Sequence, residues 1–159
     1  MKRISTLFLQ AVLVLVGLVA LFILIRFPLT EGRAKDLDLL SIYLDPFILY
    51  AYATSVLFFI ALYKAFRLLG YISQNKLFSM VSVSALRCIK YCAILFGVLV
   101  AVAGLYIRFT HNKDDDPAGF VALSIVVTFI SVAVAVAVAV LEKILKNVVD
   151  MKTENDLTI

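Results

Sequence analysis

The stretch PAGFVALSIVVTFISVAVAVAVAVL, residues 117–141, carries no charge across 25 positions and ends in a strict alternation of valine and alanine. Taken alone, that alternation has the period of a β-strand. Length argues otherwise: at about 1.5 Å rise per residue, 25 helical residues exceed the roughly 30 Å hydrocarbon thickness of a bilayer. In lipid every backbone N–H and C=O must be paired within the protein, so such a run is either a helix or part of a closed barrel. The other long uncharged runs are residues 4–25, 46–63 and 91–107, and four runs of unequal length close no barrel. The predicted fold class is therefore all-α, an integral membrane four-helix bundle.

The first and last runs are long enough to cross unaided, whereas the middle two fall slightly short. Lys64, Arg67, Arg87 and Lys90 flank those two, and their apolar stems let the charged heads reach the headgroups while the helix runs a turn further. The predicted spans are about 4–27, 46–68, 85–109 and 117–145, in a single membrane domain covering 1–159. Composition agrees, because 64% hydrophobic residues and a mean hydropathy of +1.05 leave too little polar surface to coat a soluble fold. Lys2 and Arg3 give the first run a charged start like a signal peptide's. Its apolar length exceeds the usual export core and no small-x-small site precedes Arg26, so it reads as an uncleaved span.

Basic residues set the orientation. One side holds ten of them (Lys2, Arg3, Lys64, Arg67, Lys76, Arg87, Lys90, Lys143, Lys146, Lys152) against four acids, and the other holds five against seven. The positive-inside rule places both termini, the basic loop between helices 2 and 3, and a short tail, 151–159, in the cytoplasm. The expected location is the bacterial cell (inner) membrane, and the lipid bilayer is the first partner. The net +4 is on this account an orientation signal, and direct nucleic-acid binding is not expected.

Helix boundaries fit the same map. Asp45-Pro46 and Asp116-Pro117 each set an N-cap acceptor before a proline suited to the first helical position. Pro28 is expected to stop the first helix, and Tyr43, Phe47, Tyr50, Phe109 and Phe120 to supply the outer interfacial aromatics. The basic loop, residues 64–90, intersperses Leu68, Leu69, Ile72, Leu77, Phe78 and Val81 among five bases. Two structures suit it: a helix lying on the anionic inner leaflet, or extensions of helices 2 and 3 broken near residues 70–75. Ser79 or Ser82 is placed to cap the helix that follows.

Small residues recur on helix 3 at Ala93, Gly97 and Ala101, with Gly104 close by, a stripe that lets a partner backbone approach. On helix 4, Ser124, Thr128 and Ser131 share one face, and Gln10 lies two turns into helix 1; each can hydrogen-bond across helices. Residues 91–107 and 117–141 contain no acid, base or His, which disfavours ion or proton transport.

Candidates for chemistry are few. Cys88 and Cys92 share a helix face but have no further ligands nearby, so no metal site is expected. His111 stands beside Asp114, Asp115 and Asp116 without the glycine and closing glutamate of an EF-hand loop, and reads as a solvated turn. No catalytic set, phosphate loop or cofactor motif is present, so the chain is not expected to be an enzyme and no catalytic, cofactor-binding or metal residue is assigned.

Four segments carry a family likeness: Ser5-Thr6-Leu7-Phe8-Leu9; LLGYISQNKLFS at residues 68–79; Asp116-Pro117-Ala118-Gly119; and Glu154-Asn155-Asp156-Leu157-Thr158-Ile159. In content and order they resemble the bacterial domain-of-unknown-function 2975 family. The resemblance implies a small four-helix membrane protein without assigned activity. Many members are encoded beside a small helix-turn-helix regulator of the Cro/cI type, which makes such a regulator a candidate partner.

Two functions follow as expectations. The first is a membrane anchor that binds a small cytoplasmic regulator through Lys64, Arg67, Lys76, Arg87, Lys90 and the tail residues Leu157, Thr158 and Ile159, the tail adding as a strand to a partner sheet. The second is a transporter or pore subunit for an uncharged or amphipathic solute. Four helices are few for that task, so it would require a homodimer formed through the Ala93, Gly97, Ala101 stripe.

Overall fold

A computed structural model describes residues 2–30, 43–74, 76–110 and 117–157. Among them run four long helices: α1 (Lys2–Thr30), α2 (Pro46–Ser73), α3 (Met80–Thr110) and α4 (Ala118–Leu157). Each contains a stretch long and apolar enough to cross a membrane. The valine–alanine repeat lies within α4, as the need to pair the backbone in lipid requires.

Interhelical contacts fix the directions. Gln10 Nε2 donates to the Phe66 carbonyl (3.4 Å) and Tyr52 Oη to the Leu24 carbonyl (3.4 Å), so α1 and α2 are antiparallel. Phe47 meets Tyr106 while Phe58 meets Phe96, which reverses α3 against α2. Gly104 faces Ser124 and Gly97 faces Ser131, which reverses α4 against α3. The start of α1 and the end of α4 therefore lie at one end of the bundle, with the α2–α3 connection; we call this the basic end. Each helix packs on its neighbour in sequence, and the α3–α4 contact is the most extensive.

The start of α2 follows the sequence closely. Asp45 is the N-cap, its carboxylate accepts from the Phe47 N–H at 2.8 Å, and Pro46 occupies the first turn. The Ser79 hydroxyl accepts from the Ser82 N–H (3.4 Å) and its carbonyl from the Ser82 and Val83 N–H groups, which caps α3. Asp116 lies outside the described residues, as do His111, Asp114 and Asp115.

Two expectations are revised, and one choice between alternatives is decided. Pro28 does not stop α1, which continues to Thr30. A proline there leaves the carbonyl four residues back, that of Leu24, without its helical donor, and Tyr52 Oη supplies a donor from α2. Nor do the outer aromatics form a simple belt. Phe47 is buried and meets Tyr106 (centroids 6.4 Å) and Phe120 (5.7 Å), while Tyr50 Oη donates to the Leu99 carbonyl at 2.8 Å. Finally, α2 and α3 extend through the basic loop and break between Ser73 and Met80, so the extended-helix alternative is the one adopted.

Candidate functional site

One seam organises the basic end. On α4 the residues turned inward are Ser124, Thr128, Ser131, Ala135, Val138, Glu142, Leu145 and Val149, buried or half-buried, at alternating steps of four and three. That 3.5-residue period is the spacing at which one helix keeps a single face toward another. Residues on the membrane part of the seam are mostly small. A Cβ at Gly97 would stand 3.0 Å from Ser131 Cβ, and one at Gly104 would stand 2.9 Å from Ser124 Cβ. The Thr128 hydroxyl donates to the Gly97 carbonyl at 3.4 Å, as its place on that face suggests. The Ser124 hydroxyl instead donates within its own helix, to the Val121 carbonyl at 2.8 Å. Of the predicted stripe, Gly97 and Gly104 are buried against α4, and Ala93 and Ala101 are half-buried.

Past the uncharged runs the seam becomes charged and then bulky. The Arg87 Nε–H donates to Glu142 Oε1 at 2.8 Å and the Lys90 ammonium to Glu142 Oε2 at 2.6 Å. Glu142 is buried, and a buried carboxylate is held only where donors compensate its lost hydration. Beyond it Val83, Leu86, Leu145 and Val149 form a small apolar core against which Leu68, Leu77 and Val138 pack. This core joins α2, α3 and α4 and, Val138 apart, lies outside the uncharged runs, which makes the basic end a folded head.

The remaining predicted contact residues are dispersed. Lys64 is half-buried on α2; Arg67 is exposed between the rings of Tyr63 (6.0 Å) and Tyr71 (5.7 Å). Lys76 is exposed in the break, and its carbonyl accepts from Ser79 Oγ at 2.9 Å. Leu157 is the last residue of α4, while Thr158 and Ile159 lie outside the described residues. The tail is thus helical as far as Leu157, where the sequence suggested an added strand. At the α2–α3 break Phe78, Met80 and Val81 are each more than half exposed. Cys88 is half-buried and Cys92 buried, and both are free thiols.

Comparison with known proteins places this architecture. Residues 28–159 match the family model described as Protein of unknown function (DUF2975). The uncharacterized membrane protein YoaS of Bacillus subtilis (strain 168) is 40% identical over 161 residues, an alignment covering 100% of each chain. No solved structure matches. The family model spans most of the sequence and the relative all of it, so this multi-pass membrane protein belongs to the DUF2975 family.

Proposed function

We propose that the protein is a non-enzymatic membrane anchor whose basic end faces the cytoplasm and docks a soluble protein there. The observation that carries this reading is the exposed apolar group Phe78, Met80 and Val81. From Met80 to Lys90, the last residue before the uncharged run of α3, the helix climbs about 15 Å. Headgroups add only about 5–8 Å on each side of the hydrocarbon, so these side chains stand at or beyond the outer edge of the headgroup layer. Exposed apolar side chains held on a rigid base in an aqueous compartment suit a protein partner. The tip of α4 is exposed over residues 151–155 and extends the same head. The family resemblance supplies a partner class, a small helix-turn-helix regulator.

In-cell crosslinking, capture of the tagged protein from its own membranes, and mass spectrometry test the reading. A Phe78→Ser, Met80→Ser, Val81→Ser triple variant and a chain lacking residues 151–159 should both insert normally and lose a soluble partner recovered with the parent protein. Equal recovery with both variants would refute docking at this head. Self-association through the stripe finds less support, since Gly97 and Gly104 already face Ser131 and Ser124 of the same chain.

A further inference from the structure

Beside their packed seam, α3 and α4 leave a groove of about 530 Å³ open to lipid. Four small residues form its floor: Gly97 and Ala101 from α3, Ala135 and Ala139 from α4, all buried or half-buried. Val98 and Val102 on one side and Val132 and Val136 on the other are exposed and stand as its rims. Its one hydroxyl, on Thr128, is spent on the Gly97 carbonyl. Over most of its length such a trough offers a ligand only apolar contact.

The mouth is different. Lys90 lines the groove at its basic end and immediately precedes the uncharged run of α3, so it stands at the hydrocarbon boundary. The same two helix faces carry further bases outward. Arg87 lies seven residues before Ile94, two turns along one face, and Lys143 and Lys146 lie four and seven residues beyond Ala139. All three are exposed. Among the described residues the acid at this level is Glu142, with Asp150 two turns further out. Glu142 engages only the Nε–H of Arg87 and the Lys90 ammonium, which leaves the four Nη hydrogens of Arg87 for other acceptors. Neither Lys143 nor Lys146 joins an ion pair among the described residues.

Length matches this split between an apolar trough and a basic mouth. Lys90 to Ala101 and Ala139 to Thr128 each span eleven residues, about 16 Å of helix axis and half the hydrocarbon thickness, the depth of one leaflet. Basic pockets between transmembrane helices at headgroup level hold anionic lipid heads. We infer that the groove binds an anionic glycerophospholipid, one acyl chain on the small-residue floor and the phosphodiester at Lys90, Arg87, Lys143 and Lys146. A second copy of the chain suits the groove less well. In a two-fold dimer the same patch meets itself, which sets these bases against their own images at one membrane level. The site lies on the membrane side of Phe78, Met80 and Val81, and it stands whether or not they dock a protein.

The full chain in phosphatidylcholine nanodiscs, doped with phosphatidylglycerol that carries a photoreactive diazirine in one acyl chain, tests the site. Labelling of groove residues such as Val98 and Val132 should saturate as the doped fraction rises. A phosphatidylcholine analogue with the same diazirine chain should label them only in proportion to its fraction. Lys143→Gln and Lys146→Gln each remove one exposed base without touching the Glu142 pairs, and each should raise the half-saturating fraction about fivefold. Arg67→Gln removes an exposed base at the same membrane face, on α2 and away from the groove, and should leave it unchanged. Ala139→Phe should abolish saturable labelling by filling the floor. Equal labelling by both analogues, or the same half-saturating fraction in Lys143→Gln, Lys146→Gln and the parent, would overturn the anionic-lipid site. Groove residues shielded from both analogues, in a chain that crosslinks to itself through α3 and α4, would overturn it in favour of a second copy.

Discussion

Glu142→Gln keeps the shape of the side chain and removes its charge, isolating what the carboxylate does for Arg87 and Lys90. Two unit charges about 4 Å apart attract by about 1 kcal/mol in water and about 4 kcal/mol at an effective dielectric near 20. Lys90 and Glu142 have side chains 21% and 10% exposed, which puts the pair between those limits. Desolvation of the carboxylate subtracts from the gain, leaving a Lys90–Glu142 coupling of about 2 kcal/mol. The Arg87 side chain is 53% exposed, so solvent screens its attraction and its coupling is smaller. The assay is a pair of double-mutant cycles, Lys90→Gln with Glu142→Gln and Arg87→Gln with Glu142→Gln. Reversible unfolding of the purified protein by dodecyl sulfate in mixed micelles supplies the free energies. The Lys90 cycle should exceed the Arg87 cycle. An Arg87 coupling equal to or larger than that of Lys90, or a Glu142→Gln variant as stable as the parent, would refute the reasoning.

Three further predictions use the same assay. Gly104→Ala should cost about 1–3 kcal/mol by overpacking, because the new methyl meets Ser124 Cβ at 2.9 Å, and Ser124→Gly should recover part of the loss. Tyr52→Phe should cost about 1 kcal/mol in the parent chain and much less in Pro28→Ala, where a restored N–H returns to the Leu24 carbonyl now served by Tyr52 at 3.4 Å. Gly119→Ala should stabilise by up to about 1 kcal/mol, since a Cβ there meets nothing within 4 Å.

The four helices were legible because each crossing depends on a one-dimensional property, the length of chain between charges. Asp45-Pro46 was legible for a similar reason: a cap needs only its own neighbours in sequence. Pro28 misled because a proline's local effect, one lost helical donor, is offset by a hydroxyl far along the chain at Tyr52. Phe47 and Phe120 misled in the same direction. An aromatic near a helix end suits either the interface or the interior, and only tertiary packing, here with Tyr106 and each other, selects the interior.

The Glu142 site was missed although the sequence held two signals for it. The first is level. Lys90 immediately precedes the uncharged run of α3 and Glu142 immediately follows that of α4, so in antiparallel neighbours both must stand at the same membrane boundary. The second is phase. Ser124, Thr128 and Ser131 were already known to share a face, and continuing their alternation of four and three reaches Ala135, Val138, Glu142, Leu145 and Val149. An apolar pattern hides that phase within the membrane, where lipid-facing and protein-facing positions are equally hydrophobic. It reappears where water begins, as an acid set between apolar residues of one face. Counting Lys90 only as a snorkelling base assigned its charge to lipid. Followed outward, the seam assigns it to Glu142, which makes the basic end a folded continuation of the bundle and gives its exposed apolar residues a rigid base.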